Sequence, residues 1–452
     1  MAVHQTHIGT DRQLFVDDYW IADYRGTARK LHNPVRREAA ISIDKPWEQG
    51  SIGCMTTIQD KGVFRAWYRC DHQKPEHAGN PRFTAYAESV DGIHWHKPAL
   101  GHLRFRGSRD NNLVWMGPAS DLSPFLDGGP NTTETARYKA VVRERGQMFA
   151  LASLDGIRWR FLQGEPVFDD GPFDTVSVPF WDDWKGQYVF YTRGKAGTGG
   201  SFGGGVRWIR RATSKNFVDW SPLESIQTGD APLEHLYTNA AIRYGRAPGT
   251  YLMFPSRFVP ERIPDPDWPH GSGVNDIVFM SSRDGLRFDR SFMEAFIRPG
   301  TDKDNWHERG LYMEVGMLQT SKEEISFYGR ERGKAPSACF RRFALRTDGF
   351  VSLSAGYPGG EATTRPFLFA GRELELNYST SAVGLIRVEI QDASRRPLPG
   401  FSLDDCNEKF GDEIEGVVSW KGGRDLSTII GRPVRIRFEL KDADVYAFRF
   451  RA

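Results

Sequence analysis

One short motif recurs along the chain. It reads Ser89-Val-Asp-Gly-Ile-His-Trp95, then Ser153-Leu-Asp-Gly-Ile-Arg-Trp159, Ser214-Lys-Asn-Phe-Val-Asp-Trp220 and Ser282-Arg-Asp-Gly-Leu-Arg-Phe288, with a degenerate fifth copy at Arg346-Thr-Asp-Gly-Phe350. Counted from the first position, successive copies lie 64, 61, 68 and 64 residues apart. A fixed period of this kind marks an architecture in which each unit buries its apolar face against the next. Asp-Gly is a tight-turn signal, and the aromatic residue three positions after the Gly opens or closes a strand.

Between the copies lie short runs such as Val63-Phe-Arg-Ala-Trp-Tyr-Arg69, Tyr188-Val-Phe-Tyr-Thr-Arg193, Tyr251-Leu-Met-Phe-Pro-Ser-Arg257 and Ile325-Ser-Phe-Tyr-Gly-Arg330. They are rich in aromatic and β-branched residues and bounded by Gly, Pro or Asp, which are strand signals. No long stretch carries helical periodicity. A unit of this length suits a four-stranded blade with sizeable loops, so the fold class is all-β and the expectation for residues 1–358 is a five-bladed β-propeller. A sandwich of irregular strands is the alternative. After the fifth motif the pattern changes to Leu374-Glu-Leu-Asn-Tyr378, Gly384-Leu-Ile-Arg-Val-Glu-Ile390, Val434-Arg-Ile-Arg-Phe-Glu-Leu440 and Val445-Tyr-Ala-Phe-Arg-Phe450. This alternation predicts a C-terminal antiparallel β-sandwich over 359–452, reached through a linker within Ser354–Pro366.

Composition excludes several function classes. The chain has 452 residues, 39% hydrophobic and 13% aromatic, with 47 Gly and 26 Pro, which rules out disorder and collagen-like structure. No run of about 18 apolar residues is present, so no membrane-spanning helix is expected. A net charge of +2 argues against a general nucleic-acid binder. Arg supplies 45 of the 60 basic residues, and guanidinium groups suit two-point contact with carboxylate, sulfate or phosphate. The four cysteines form no CxxC pair, so no metal site and no cofactor is expected, while Cys54 and Cys70 are spaced to meet across adjacent strands. The N-terminal residues lack the apolar core of a signal peptide. The chain thus reads as cytoplasmic as written, and as periplasmic or secreted if a signal was trimmed. The run Gly197-Thr-Gly-Gly-Ser-Phe-Gly-Gly-Gly205 lacks the Lys-Ser/Thr ending of a phosphate loop and reads as a mobile rim loop able to act as a lid.

In a propeller, residues just before the inner strands and at the ends of the second strands line one funnel. The second strands end in Arg69, Arg143, Arg193, Arg257 and Arg330, one in each unit, which predicts an anionic ligand. The starts of the inner strands carry Glu48, Asp121 and Asp174 in the first three units, and His235, Tyr237, His307 and Arg309 in the last two. Carboxylates around one pocket are what glycosidic cleavage needs, one as acid and one as nucleophile or base. Asp174 and Asp121 are the expected pair, with Glu48 as a third acid and His235 as a further catalytic candidate. The arginines, with Tyr237, His307 and Arg309, are expected to bind substrate. Asp17-Asp18 either faces the channel or caps an outer strand that closes the ring.

This arrangement resembles the five-bladed-propeller glycoside hydrolases of the invertase/fructanase and arabinanase-like superfamily. Leu14-Phe-Val-Asp-Asp-Tyr19, Pro46-Trp-Glu48, Phe173-Asp-Thr-Val-Ser-Val-Pro-Phe-Trp-Asp182 and Phe401-Ser-Leu-Asp-Asp-Cys-Asn407 are similar to segments of uncharacterised propeller proteins of polysaccharide-degrading bacteria. The fructanase hallmark segments are absent, so the resemblance implies the fold and a glycan substrate but no fructan specificity. The expected function is hydrolysis of a glycosidic bond in an acidic oligo- or polysaccharide. A uronate lyase using Arg, His and Tyr, and a non-catalytic carbohydrate-binding propeller, are the alternatives. The expected partner is a carbohydrate, with no nucleic acid and no membrane.

Overall fold

The computed structural model is almost wholly β, with a single five-residue α-helix, Lys303–His307, among the described residues. Those residues are 6–71, 82–117, 120–144, 146–169, 171–174, 176–196, 205–264, 273–307, 309–333 and 335–452. The expected glycine-rich rim loop falls almost entirely on 197–204, outside them.

The chain forms two compact units. One comprises Pro34–Arg243 and Gly249–Ala344; the other comprises Met1–Asn33, Tyr244–Pro248 and Leu345–Ala452. This differs from the expected division after residue 358. The N-terminal strands Thr6–Gly9, Gln13–Leu14, Ile21–Arg25 and Thr27–Leu31 pair with Phe367–Phe369, Val434–Arg451, Gly360–Thr364 and Val351–Ala355. The reason lies in the long strands Glu373–Asp392 and Val434–Arg451, which alternate buried apolar and outward charged residues. Their apolar faces need cover, and Phe15, Trp20 and Ile21 join Phe367, Phe438 and Phe448 in that core. Asp17-Asp18 belongs to this unit, where Asp18 pairs with Arg29 at 3.0 Å and accepts the Tyr24 hydroxyl at 2.6 Å.

The larger unit is a succession of antiparallel sheets. Sheet one is Ser51–Asp60, Val63–Asp71, Arg82–Ser89 and Leu113–Met116. Sheet two is Ser120–Leu126, Tyr138–Glu144, Gln147–Ser153 and Arg160–Phe161; sheet three is Val178–Asp182, Gln187–Ala196, Val206–Ser214 and Glu224–Ser225. The next segments make two smaller sheets, His235–Leu236 with Ser256–Val259 and Val274–Ile277, and Ile242–Arg243 with Tyr251–Met253, Met280–Ser282 and Phe288–Asp289. The interruption falls at Phe254-Pro255, where proline has no N–H to give the ladder. The last sheet combines Tyr312–Met313, Leu318–Gln319, Glu324–Glu331 and Cys339–Arg346 with Val35–Ser42 from the other end of the chain. The first strands of sheets one, two and three touch in succession, Val206–Ser214 of sheet three touches His235–Leu236, Val274–Ile277 touches Tyr312–Met313, and the last sheet returns to the first through the Thr56–Val315 bridge.

The repeated motif stitches these sheets together. In its first copy Ser89 Oγ accepts the Gly92 amide at 2.9 Å, and Asp91 Oδ1 accepts the Ile93 and His94 amides at 2.8 Å each. The second and fourth copies repeat this around Asp155 and Asp284, and the third uses Asn216. These side chains satisfy amides that a tight turn leaves without backbone partners. The turn's own carbonyl then accepts a donor from the neighbouring sheet. Trp67 Nε1 reaches Gly156 O at 2.6 Å, Tyr191 Oη reaches Gly285 O at 2.5 Å, and the Tyr328 hydroxyl reaches Gly92 O. The far ends of the first strands carry a second repeated stitch, in which Asp60, Asp127 and Asp182 accept the phenols of Tyr138, Tyr188 and Tyr251.

Candidate active site

The end of each first strand faces the end of its second strand in the ladder. Gly53 lies opposite Arg69, Ser120 opposite Arg143, Leu236 opposite Arg257 and Tyr312 opposite Arg330. Side chains at these ends gather residues from sheets one, two and three, from the His235–Leu236 sheet and from the last sheet.

Asp121 is buried, with a left-handed backbone (φ +61°) that turns its carboxylate toward sheet one. Arg69 Nη1 meets Oδ1 at 2.7 Å, and Arg143 meets Oδ2 at 2.9 Å through Nη2 and 3.2 Å through Nε. Burial opposes its ionisation, but the two guanidinium groups outweigh that and hold it well below the usual carboxylate range. Both oxygens are occupied and the group stays charged. Asp121 is therefore an anchor for Arg69 and Arg143 rather than a proton donor.

Beside it lies a residue that the sequence reading passed over. Glu314 follows the short strand Tyr312–Met313 and is 5% exposed. Its Oε2 accepts the Met55 amide of sheet one at 2.6 Å. Burial pushes its carboxyl up to about 7, against the opposing pull of Arg330, the Met55 amide and Arg69. Cys54 shares this neighbourhood; Arg69 Nη1 lies 3.3 Å from its sulfur, and burial pushes the thiol up. Cys54 and Cys70 are both free thiols. Cys70 sits opposite Ile52 in the ladder, so the expected meeting of the two does not occur.

Arg330, whose charge acts on Glu314, begins a second set of contacts. The Arg330 guanidinium stacks 4.2 Å from the Tyr312 ring, and the Tyr312 and Tyr237 rings are 5.7 Å apart. Tyr237 Oη donates to Asp174 Oδ2 at 3.1 Å, and Arg193 pairs with the same oxygen. Burial and the Asp174 charge push the Tyr237 phenol well above its ordinary range, so it remains a donor. The Asp174 side chain is 47% exposed, whereas that of Asp121 is 1% exposed, so of the expected pair Asp174 is the more accessible. His235 Nδ1 accepts the Arg207 amide at 3.2 Å, and burial together with the Arg207 charge keeps its ring below the ordinary histidine range. Arg309 stands 6.0 Å from the Phe258 ring, and His307 ends the short helix.

Two expected site residues are differently employed. Glu48 is fully buried at the end of the 3-10 turn Pro46–Glu48 and takes five hydrogen bonds, from Tyr68, the Asp44 and Lys45 amides, and Lys97 to both oxygens. It closes its own turn instead of presenting an acid. Arg257 is bound to Asp276 at 2.9 and 2.5 Å and to Glu234 at 3.0 Å, so its charge is already matched.

No protein-family model matches the chain. Two uncharacterised proteins from strains of Mycobacterium tuberculosis are 27% identical over 160 residues, which is 33% of this chain and 46% of theirs. The chain thus spans about half the length of the curated relatives it matches. Among solved structures, that of a BT0996–RGII complex is 14% identical, covering 71% of this chain and 93% of that one, with a TM-score of 0.49. A glycoside hydrolase family 43 arabinoxylan arabinofuranohydrolase from Bacillus subtilis, solved with cellotetraose, is 12% identical over 89% and 96%, at TM-score 0.42. A glycosyl hydrolase from Bacteroides ovatus is 16% identical over 76% and 97%, at 0.41. At these scores no residue role carries across.

Proposed function

We propose that the larger unit is a five-bladed β-propeller whose strand-end cluster hydrolyses a glycosidic bond in an acidic oligo- or polysaccharide, with a β-sandwich as the second unit. The observation that carries this reading is the presence of two unlike acids at these strand ends. Asp174 is half exposed and ion-paired, and Glu314 is a buried carboxyl pushed up to about 7. An ion-paired carboxylate open to a ligand, together with a carboxyl that burial keeps protonated near neutrality, can divide the work of glycosidic cleavage between them. Asp174 faces the sugar as nucleophile or base, oriented by Tyr237 and Arg193. Glu314 is the acid of the pair, and Asp121 holds Arg69 and Arg143 in place.

Elimination from a uronate would need a Tyr or His base; the Tyr237 phenol is held protonated, which leaves the neutral His235 ring as the base for that alternative. The test is a set of uronate- and sulfate-bearing oligosaccharides with products read by mass. Hydrolysis adds one water per bond cleaved; elimination adds none. Asp174→Asn is expected to lower turnover by about 10²- to 10⁴-fold while leaving the melting temperature unchanged. Full activity in that variant would overturn the assignment. Protection against melting by these sugars with no product at any time would mark a binding protein instead.

A further inference from the structure

Sheet three places like charges where a sheet ordinarily avoids them. Along Gln187–Ala196, Arg193 and Lys195 point to one face, two residues apart. Directly across the ladder from Lys195 stands Arg207, at the start of Val206–Ser214. Like charges at opposed positions destabilise a strand pair. Burial and the charges of Arg193 and Arg207 lower the Lys195 ammonium, and burial with Arg193 lowers Arg207 as well. Asp174 touches this group through Arg193 and is also engaged by Tyr237.

Arg207 differs from the strand-end arginines that hold carboxylates. Its guanidinium lies 5.0 Å from the Tyr237 ring and 4.6 Å from the Phe258 ring, with Nη1 3.4 Å from His235 Nδ1. Its Nε is buried without a hydrogen-bond partner, as is that of Arg193, and it forms no ion pair among the described residues. A half-buried guanidinium beside two aromatic rings, with no ion pair among the described residues, is pre-organised for an anion.

We propose that Arg207, set against Arg193 and Lys195, binds the acidic group of the sugar that approaches Asp174, an oxyanion that is either a ring carboxylate or a sulfate ester. The neutral His235 ring fixes the guanidinium without competing for the anion, and the Tyr237 and Phe258 rings exclude water around it. This rests on the reading of the substrate as an acidic saccharide, and it adds the residue that selects for the charge.

Binding of monosaccharides tests it apart from turnover, since these contain no bond to cleave. The full chain and its Arg207→Gln and Arg207→Lys variants are titrated calorimetrically with galacturonate, glucuronate, galactose 6-sulfate and galactose. The unsubstituted protein is expected to prefer at least one acidic sugar over galactose. Arg207→Gln should weaken that sugar by about 10- to 100-fold and leave galactose unchanged, with Arg207→Lys intermediate. Whether the uronates or the sulfate responds identifies the oxyanion. Acidic-sugar binding that ignores Arg207, equal loss of galactose, or no binding of any acidic sugar would each overturn the proposal. Loss of hydrolysis in Asp174→Asn with Arg207-dependent binding intact leaves it standing. Arg207-independent binding with hydrolysis present refutes this site while preserving the proposed activity.

Discussion

Asp121 and Glu314 are both buried near Arg69, yet they are pushed in opposite directions. Asp121 has two guanidinium groups on its oxygens; Glu314 has one backbone amide and more distant cations. The linkage to stability follows with opposite signs. Asp121, held low, contributes stability that is complete above its unfolded value and unchanged between pH 5 and 8. Glu314 is raised to about 7, against an unfolded value of about 4.3. Between those values the native protein holds a proton that the unfolded chain has released. Stability therefore falls as pH rises through that window, by a total on the order of 3 kcal/mol. Glu314→Gln keeps an oxygen for the Met55 amide but cannot titrate. Urea unfolding at a series of pH values should show the variant gaining on the parent between pH 5 and 8; parallel curves would mean Glu314 titrates as an ordinary carboxyl. In the sequence Glu314 is a lone acid inside Tyr312-Met-Glu-Val-Gly316, and a charge within an apolar strand pattern was the signal that could have found it. Asp174, Arg193 and Tyr237 were legible because the repeat fixes where strands begin and end. Glu48 misled because Pro-Trp-Glu reads as the approach to a strand, whereas its carboxylate caps a 3-10 turn.

At the scale of the element, the Ser-x-Asp-Gly turn is visible in the sequence because its chemistry is local. Ser and Asp satisfy neighbouring amides, and Gly supplies a positive φ. What the sequence does not display is the partner on the next sheet. At Gly156 (φ +75°) an added Cβ would come within 2.7 Å of the Trp67 ring, which itself donates to the Gly156 carbonyl. At Gly186 (φ +59°), in the hairpin after Asp182, no atom lies within 4 Å. Backbone strain is common to both sites and costs roughly 1 kcal/mol. Gly156→Ala must also displace a packed indole, for a total of about 2–4 kcal/mol. Gly186→Ala should lose only the strain. The two variants' denaturation midpoints, at unchanged m, measure the difference; equal losses would show that the turn does not bear on Trp67.

The whole larger unit depends on how its succession of sheets ends. The repeat predicts five units in a row, but nothing in it says which strand completes the last sheet. That strand is Val35–Ser42, and its sequence, Val-Arg-Arg-Glu-Ala-Ala-Ile-Ser, is mostly exposed, so it carries little of the apolar alternation that marks the inner strands. Its burial is one-sided because it is an outer strand, which is why sequence reading assigned no role to it and looked to Asp17-Asp18 for closure. The pairing joins residues about three hundred positions apart: Ser42 lies opposite Cys339, and Ile41 opposite Phe340. Cys339 is a free thiol, and directly opposed residues on antiparallel strands have Cα atoms within disulfide range. Ser42→Cys should therefore oxidise to a single intramolecular crosslink. Closing so long a loop removes chain entropy from the unfolded state equivalent to at most about 5 kcal/mol. The oxidised variant should unfold at higher denaturant than the reduced one, with the gain abolished by a thiol reductant. A variant that forms no crosslink under mild oxidation, or forms it only between molecules, would show that Val35–Ser42 does not complete the sheet in this register. That result would leave the Thr56–Val315 bridge and the Met55–Glu314 hydrogen bond to hold the last sheet against the first.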